Sequence, residues 1–184
     1  EVSVGNDGNI SQERLENCVN SDLANNFGNL CQRVTAFTVK NCDGKVPNDI
    51  KFENVDLEIL DKFKLSLDII RNKIDNYDLN FYIDFIINCL FDANKYFNDQ
   101  EPWKQKKNLQ RLNTIVYTSL EIIRKISFML YPIIPQSALN SLKIFSINEN
   151  EIILDTLKNH NYLKEDTNIN KIDILFKKIE IKND

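Results

Sequence analysis

Two short segments far apart in the sequence carry side chains suited to gripping a nucleotide base: Asp22-Leu-Ala-Asn-Asn-Phe-Gly-Asn-Leu-Cys-Gln-Arg33 and Asn98-Asp-Gln-Glu-Pro-Trp-Lys-Gln-Lys-Lys107. In the first, Asn25, Asn29 and Arg33 stand at four-residue intervals. On a helix that spacing sets them in one row beside an apolar stripe. Amides donate and accept hydrogen bonds while a guanidinium only donates, so the row can converge on the polar edge of one planar ligand. The same row would also serve to solvate an exposed helix face. Asparagine is disfavoured inside helices because its amide competes for backbone hydrogen bonds, so two in one row ask for a reason.

In the second segment the only tryptophan, Trp103, follows Pro102. Proline fixes its own φ and donates no hydrogen bond, so Glu101-Pro102-Trp103 reads as a stiffened junction between helices that holds the indole in one orientation. Two roles stay open for that ring: plugging the end of a bundle, or being displayed as a stacking platform. Lys104, Lys106, Lys107 and Arg111 form a local positive cluster in an acidic chain, where a phosphate backbone could run beside a stacking base. Lysines at a helix start oppose the helix dipole, which gives their position some weight.

Elements must hold these residues, and the pattern of the chain predicts helices. With 184 residues the chain can bury one substantial core, and only four glycines and four prolines leave few turns for a many-stranded barrel or sandwich. Ser11 offers an N-cap to a short helix ending near Val19, after a turn at Gly5-Asn-Asp-Gly8. Apolar stripes at helical spacing then predict four long helices, over about 20–40, 56–75, 78–98 and 106–130. Leu23, Phe27, Leu30, Val34 and Phe37 mark the first, and Leu57, Leu60, Phe63, Leu67, Ile70 and Ile74 the second. Leu79, Ile83, Ile86, Leu90, Ala93 and Phe97 mark the third, and Leu109, Leu112, Val116, Leu120, Ile123 and Ile126 the fourth. Pro132 and Pro135 break the chain before a shorter helix over 136–145. The expected fold is an all-α helical bundle of about five main helices with an irregular C-terminal arm. Residues 1–147 are expected to form the bundle, and 148–184 a short helix and an extended arm or short strand that packs on the bundle or on a part of the protein outside this chain.

A net charge of −4 argues against a broadly basic nucleic-acid coat but permits a local patch. Cys18, Cys31, Cys42 and Cys89 make no C-x-x-C pair and His160 is the only histidine, so no metal site is expected. Buried thiols of a reducing compartment are the simpler reading. No apolar run is long enough for a membrane span and no signal peptide opens the chain, so a cytoplasmic location is expected. A first residue of Glu1 in place of Met suggests a fragment of something longer, as processing would also produce.

Taken together and in this order, the segments resemble the anticodon-binding domain of bacterial-type methionyl-tRNA synthetases. Residues 20–33 are similar to the family's D-L-A-N-x-x-G-N-L-x-x-R helix, Glu101-Pro-Trp-Lys104 to its E-P-W-K element, and Met129-Leu-Tyr-Pro-Ile-Ile-Pro135 to the L-x-P-x-x-P break. Gly5-Asn-Asp-Gly-Asn-Ile-Ser11 resembles the D-G-D-F-S stretch that follows the catalytic loop, and Leu175-Phe-Lys-Lys-Ile-Glu180 the closing L-F-P-R-I-E. Lys177 replaces the usual proline there, and Gln105 follows Lys104 where an apolar residue is common.

The resemblance implies an anticodon reader for methionine tRNAs, initiator and elongator, with Asn29, Arg33 and Trp103 as the main contacts. Asn25, Asn98 and Pro102 match family positions near the anticodon, and Lys104, Lys106 and Lys107 would be phosphate contacts. The H-I-G-H-like and K-M-S-K-S-like ATP signatures are absent, so this chain should carry no catalytic residue and hold no cofactor. ATP, Mg and methionine chemistry would belong to a catalytic domain of the same polypeptide. DNA and membranes are not expected partners. Two alternatives remain at this stage: the equivalent domain of another class I synthetase, and a helical protein-interaction module.

Overall fold

The computed structural model describes residue 8 and residues 11–179. The expected turn at 5–8, Gly8 apart, and the final Glu180 of the closing element lie outside the described residues.

The first two expected helices are one continuous rod. Ser11 caps α1 (Gln12–Cys18) by accepting from the Arg14 N–H. A π-helical segment, Val19–Gly28, then runs without a break into α2 (Asn29–Asn41). The Asn29 N–H bonds back to the Ala24 carbonyl, five residues earlier, which is the wider turn of a π-helix. That turn buries three consecutive residues, Asn26, Phe27 and Gly28. Asn26 meets Asn94, whose Nδ2 donates to its Oδ1 at 2.6 Å. Periodicity in the sequence does not distinguish a π-turn from an α-turn.

A turn at Asp43 and Gly44, both at positive φ, ends α2. α3 (Asn54–Asp75) starts with a reciprocal cap between Glu53 and Asp56, and α4 (Leu79–Asp99) with the Asp78 carboxylate accepting from the Phe81 N–H. α5 (Leu109–Leu130) is capped by Asn108, and α6 (Pro135–Leu142) follows the proline break. Among the described residues there is no strand, only an isolated bridge between Lys45 and Asn168. The all-α expectation therefore holds.

α5 is the axis of the bundle, packed by α2, α3, α4 and α6. Every residue from Thr114 to Leu130 is buried, including Glu121, Arg124 and Lys125. The expected stripes need correction at their ends. Leu109, Leu79 and Ile83 are exposed, because the inward face of α4 is Tyr82, Ile86, Cys89, Leu90, Ala93, Tyr96 and Phe97. The cysteines are also divided. Cys31 and Cys89 are buried, Cys42 is half-buried and Cys18 is exposed.

After α6 the chain closes over the polar side of α5 and α3 through a short 3₁₀ turn, Leu154–Lys158. Leu157, Leu163 and Ile169 enter the common core. From there an extended arm returns alongside α2. Ile169 N–H bonds to the Gly44 carbonyl at one end of this path. At the other, the Asn20 amide holds both the N–H and the carbonyl of Ile179, at 2.8 and 3.0 Å.

Candidate nucleic-acid interface

Arg33 on α2 and Asn98 near the end of α4 meet at 2.6 Å, Nη2 donating to Oδ1. The same guanidinium lies over the Phe97 ring, 5.5 Å from its centroid. On the other side Trp103 packs edge-on against Phe97, with centroids 6.1 Å apart and planes at 70°. Phe97 thus links the two polar side chains to the indole, and Phe37 supports it from below at 5.9 Å. Trp103 keeps 41% of its surface exposed, so it is displayed on the bundle, not driven into its end.

The turn that presents the indole follows from local chemistry. Gln100 ends α4, and Glu101 then takes the left-handed conformation, φ 42° and ψ 60°, a position where helices commonly end on glycine. A non-glycine residue there carries backbone strain, which clusters at functional sites. Pro102 follows as the buried first residue of a 3₁₀ turn through Lys104. The chain therefore doubles back, returning Trp103 over Phe97.

Beneath this turn lies a buried polar network. Arg111 grips Asp56 with both terminal nitrogens, at 2.6 and 2.9 Å, and its Nη2 also reaches Gln100 Oε1 at 2.7 Å. Asp56 further accepts from the Tyr96 hydroxyl and from the Glu53 N–H. Burial next to this carboxylate pushes the Tyr96 phenol well above its ordinary range. Arg111 thus leaves the expected surface cluster, because Asp56 is fully enclosed and a buried carboxylate demands a cation. The lysines are also not in the first turn of a helix. Lys104 belongs to the 3₁₀ turn and pairs with Glu101 at 2.7 Å, and Lys106 and Lys107 sit exposed in the turn before α5.

Asn25 and Asn29 are exposed and share a second feature, a groove of about 480 Å³ between the rod and the C-terminal arm. Asn29 is one helical turn from Arg33, so the groove opens beside the Arg33–Asn98–Trp103 cluster. Arg33 and Asn98 are therefore brought together directly and Trp103 joins them through Phe97, Pro102 shapes the turn of Trp103, and Asn25 and Asn29 continue the surface. Sequence reasoning placed Phe97 only in the core and passed over Gln100 and Asn94. An aromatic directly before Asn98 was the available signal for Phe97.

A family model of the anticodon binding domain of methionyl tRNA ligase matches residues 46–184. The methionine–tRNA ligase of Brucella suis biovar 1 is 39% identical over 148 residues, 80% of this chain and 29% of that protein. That of Thermotoga maritima is 35% identical over 185 residues, covering 100% of this chain and 29% of that protein. The chain thus spans under a third of the length of these relatives. The crystal structure of the apo form of Mycobacterium tuberculosis methionyl-tRNA synthetase superposes with a TM-score of 0.90 at 30% identity, over 98% of this chain and 37% of that one. A structure of the same enzyme bound by methionyl-adenylate gives 0.88 at 30% identity, over 96% and 35%.

Proposed function

The chain belongs to the anticodon binding domain family of methionyl tRNA ligase, and from that premise we propose that it reads the CAU anticodon of methionine tRNAs, initiator and elongator. The observation that carries the reading is the Arg33–Asn98 hydrogen bond beside the exposed Trp103. The first anticodon base, drawn out of its loop, stacks on the open side of Trp103, an interaction of roughly 1–3 kcal/mol. Stacking accepts any base, so identity comes from the edge. Cytosine offers one exocyclic donor and two acceptors, while uracil carries a ring N–H in place of the nearer acceptor.

Asn98 occupies one nitrogen of Arg33 and so fixes the plane of the fork. The remaining N–H groups donate to the cytosine acceptors and oppose the uracil N–H. Asn29 accepts from the exocyclic amine. Because an amide can flip to suit either base, Arg33 carries more of the discrimination than Asn29. A well-formed set of such contacts separates bases by about 1–3 kcal/mol.

The parent enzyme would activate methionine with ATP and Mg in a catalytic domain of the same polypeptide, in the cytoplasm. This chain by itself would bind RNA without aminoacylating it. Among the described residues no helix is long and apolar enough to cross a membrane. The test is binding to an anticodon stem-loop carrying CAU against the same loop carrying UAU. A preference for CAU that disappears in Arg33→Ala is the expected result, and equal binding of both loops by the unaltered chain overturns the reading.

A further inference from the structure

We propose that the groove between the π-helical segment and the C-terminal arm takes the sugar-phosphate backbone of the bound RNA, with Lys177 and Lys178 as phosphate contacts; this rests on Arg33 and Trp103 being the base-reading site. Asn25, Asn29 and Gln32 line one wall, and Phe176, Lys177 and Lys178 line the other. Among the described residues no carboxylate lines the groove, although the chain as a whole carries a charge of −4. Two lysines on one wall and three amides on the other suit a phosphodiester and its ribose. The lysines neutralise phosphate oxygens, and amides both donate to and accept from a 2′-hydroxyl.

The arm is held in place to do this. Asn20 brackets the Ile179 peptide on both sides, at 2.8 and 3.0 Å. Phe176 rests on Phe27, with centroids 6.2 Å apart, and against Gly28, where an added Cβ would sit 3.5 Å from Phe176 Cδ2 and 3.3 Å from the Leu23 carbonyl. Lys177 and Lys178 are exposed between these two anchors, so their backbone is already ordered before RNA arrives. The groove is also continuous with the base site. Asn29 and Arg33 are neighbours on one helix face, about 5–6 Å apart at Cβ. A nucleotide stacked on Trp103 and held by Arg33 therefore leads its strand towards the lysines.

A backbone contact contributes affinity and salt dependence without reading sequence. In the full chain, Lys177→Ala/Lys178→Ala should weaken CAU and UAU stem-loops by the same factor. The slope of log affinity against log salt should fall in magnitude by about 1.4 to 1.8, the counterion release of two phosphates. Lys177→Arg/Lys178→Arg should restore the slope. Both lysines are exposed, so the variants keep the helical circular-dichroism signal. An unchanged slope in the alanine variant overturns the proposal, as does a slope lost equally in the arginine variant. Comparing the two loops on the unaltered chain separates the two readings. If the unaltered chain binds CAU and UAU equally while the lysine variant still lowers the slope, base reading fails and the phosphate groove stands. No binding of either loop at low salt overturns both.

Discussion

Arg111 and Asp56, from α5 and α3, form a two-pronged ion pair at 2.6 and 2.9 Å inside the bundle, and the same guanidinium holds the Gln100 side chain directly before the Trp103 turn. Removing one partner leaves an uncompensated buried charge. Arg111→Met should lower stability by about 3–5 kcal/mol, read from urea unfolding. The Arg111→Met/Asp56→Leu double variant, which removes both charges, should recover a large part of that loss. A single variant as stable as the parent would show that the pair is not enclosed in solution.

Trp103 packs against Phe97 and keeps 41% of its surface exposed. Trp103→Ala should therefore cost roughly 1–3 kcal/mol in binding a CAU stem-loop while leaving the thermal midpoint nearly unchanged. A fall in helicity comparable to that of a core substitution would mark the indole as structural.

Arg33→Lys keeps the charge but loses the planar fork that meets Asn98 and, by the proposal above, the cytosine edge. Overall affinity for RNA should fall modestly while the CAU-over-UAU preference collapses. Competition binding of the two loops checks it, and a lysine variant that still discriminates would remove Arg33 from the reading role.

Lys125 is fully enclosed, donates to the Leu157 and Asn159 carbonyls, and lies 3.8 Å from Glu121. Burial pulls its pKa down to about 8. An unfolded lysine titrates near 10.4, so across the interval between, the unfolded chain binds more protons than the folded one and stability rises with pH. Lys125→Met lacks this dependence. The stability of the parent minus that of the variant should grow as pH climbs through that window and stay level below it. Urea unfolding at stepped pH reads the difference, and a flat line throughout would contradict it.

The thiols should separate by burial. Burial raises the Cys89 thiol to about 12 and the Cys42 thiol to about 11, and it pushes Cys31 up as well. The thiolate is the reactive form, so brief alkylation of the native chain should label exposed Cys18 first, seen by peptide mass spectrometry.

The existence of each helix was legible in the chain. Ser11, Asp78 and Asn108 cap helices, and the stripes through Phe27, Leu60, Leu90 and Leu120 bury along their middles, while Ile74, Leu79, Ile83 and Leu109 at their ends stay exposed. Apolar spacing and capping are local properties that one helix states for itself. The residue types of the candidate site were legible for the same reason, since Asn25, Asn29, Arg33 and Trp103 sit in short contiguous segments.

Only the tertiary structure decided which polar groups are exposed. Glu121, Arg124, Lys125 and Thr118 would be written on the solvent side of α5 by any pattern reading. Arg124 and Lys125 are buried with the chain beyond α6 supplying Thr156, Leu157 and Asn159 as partners, and Glu121 is buried with them as their counter-charge. Arg111 looked like one more surface cation, and it is buried because Asp56, 55 residues away, needs it. The meeting of Arg33 with Asn98, and the return of the arm beside Asn25 and Asn29, are likewise contacts between distant segments. A one-dimensional pattern encodes which face of a helix is apolar. It does not encode which distant element comes to cover a polar face, because that is set by how all the helices pack at once.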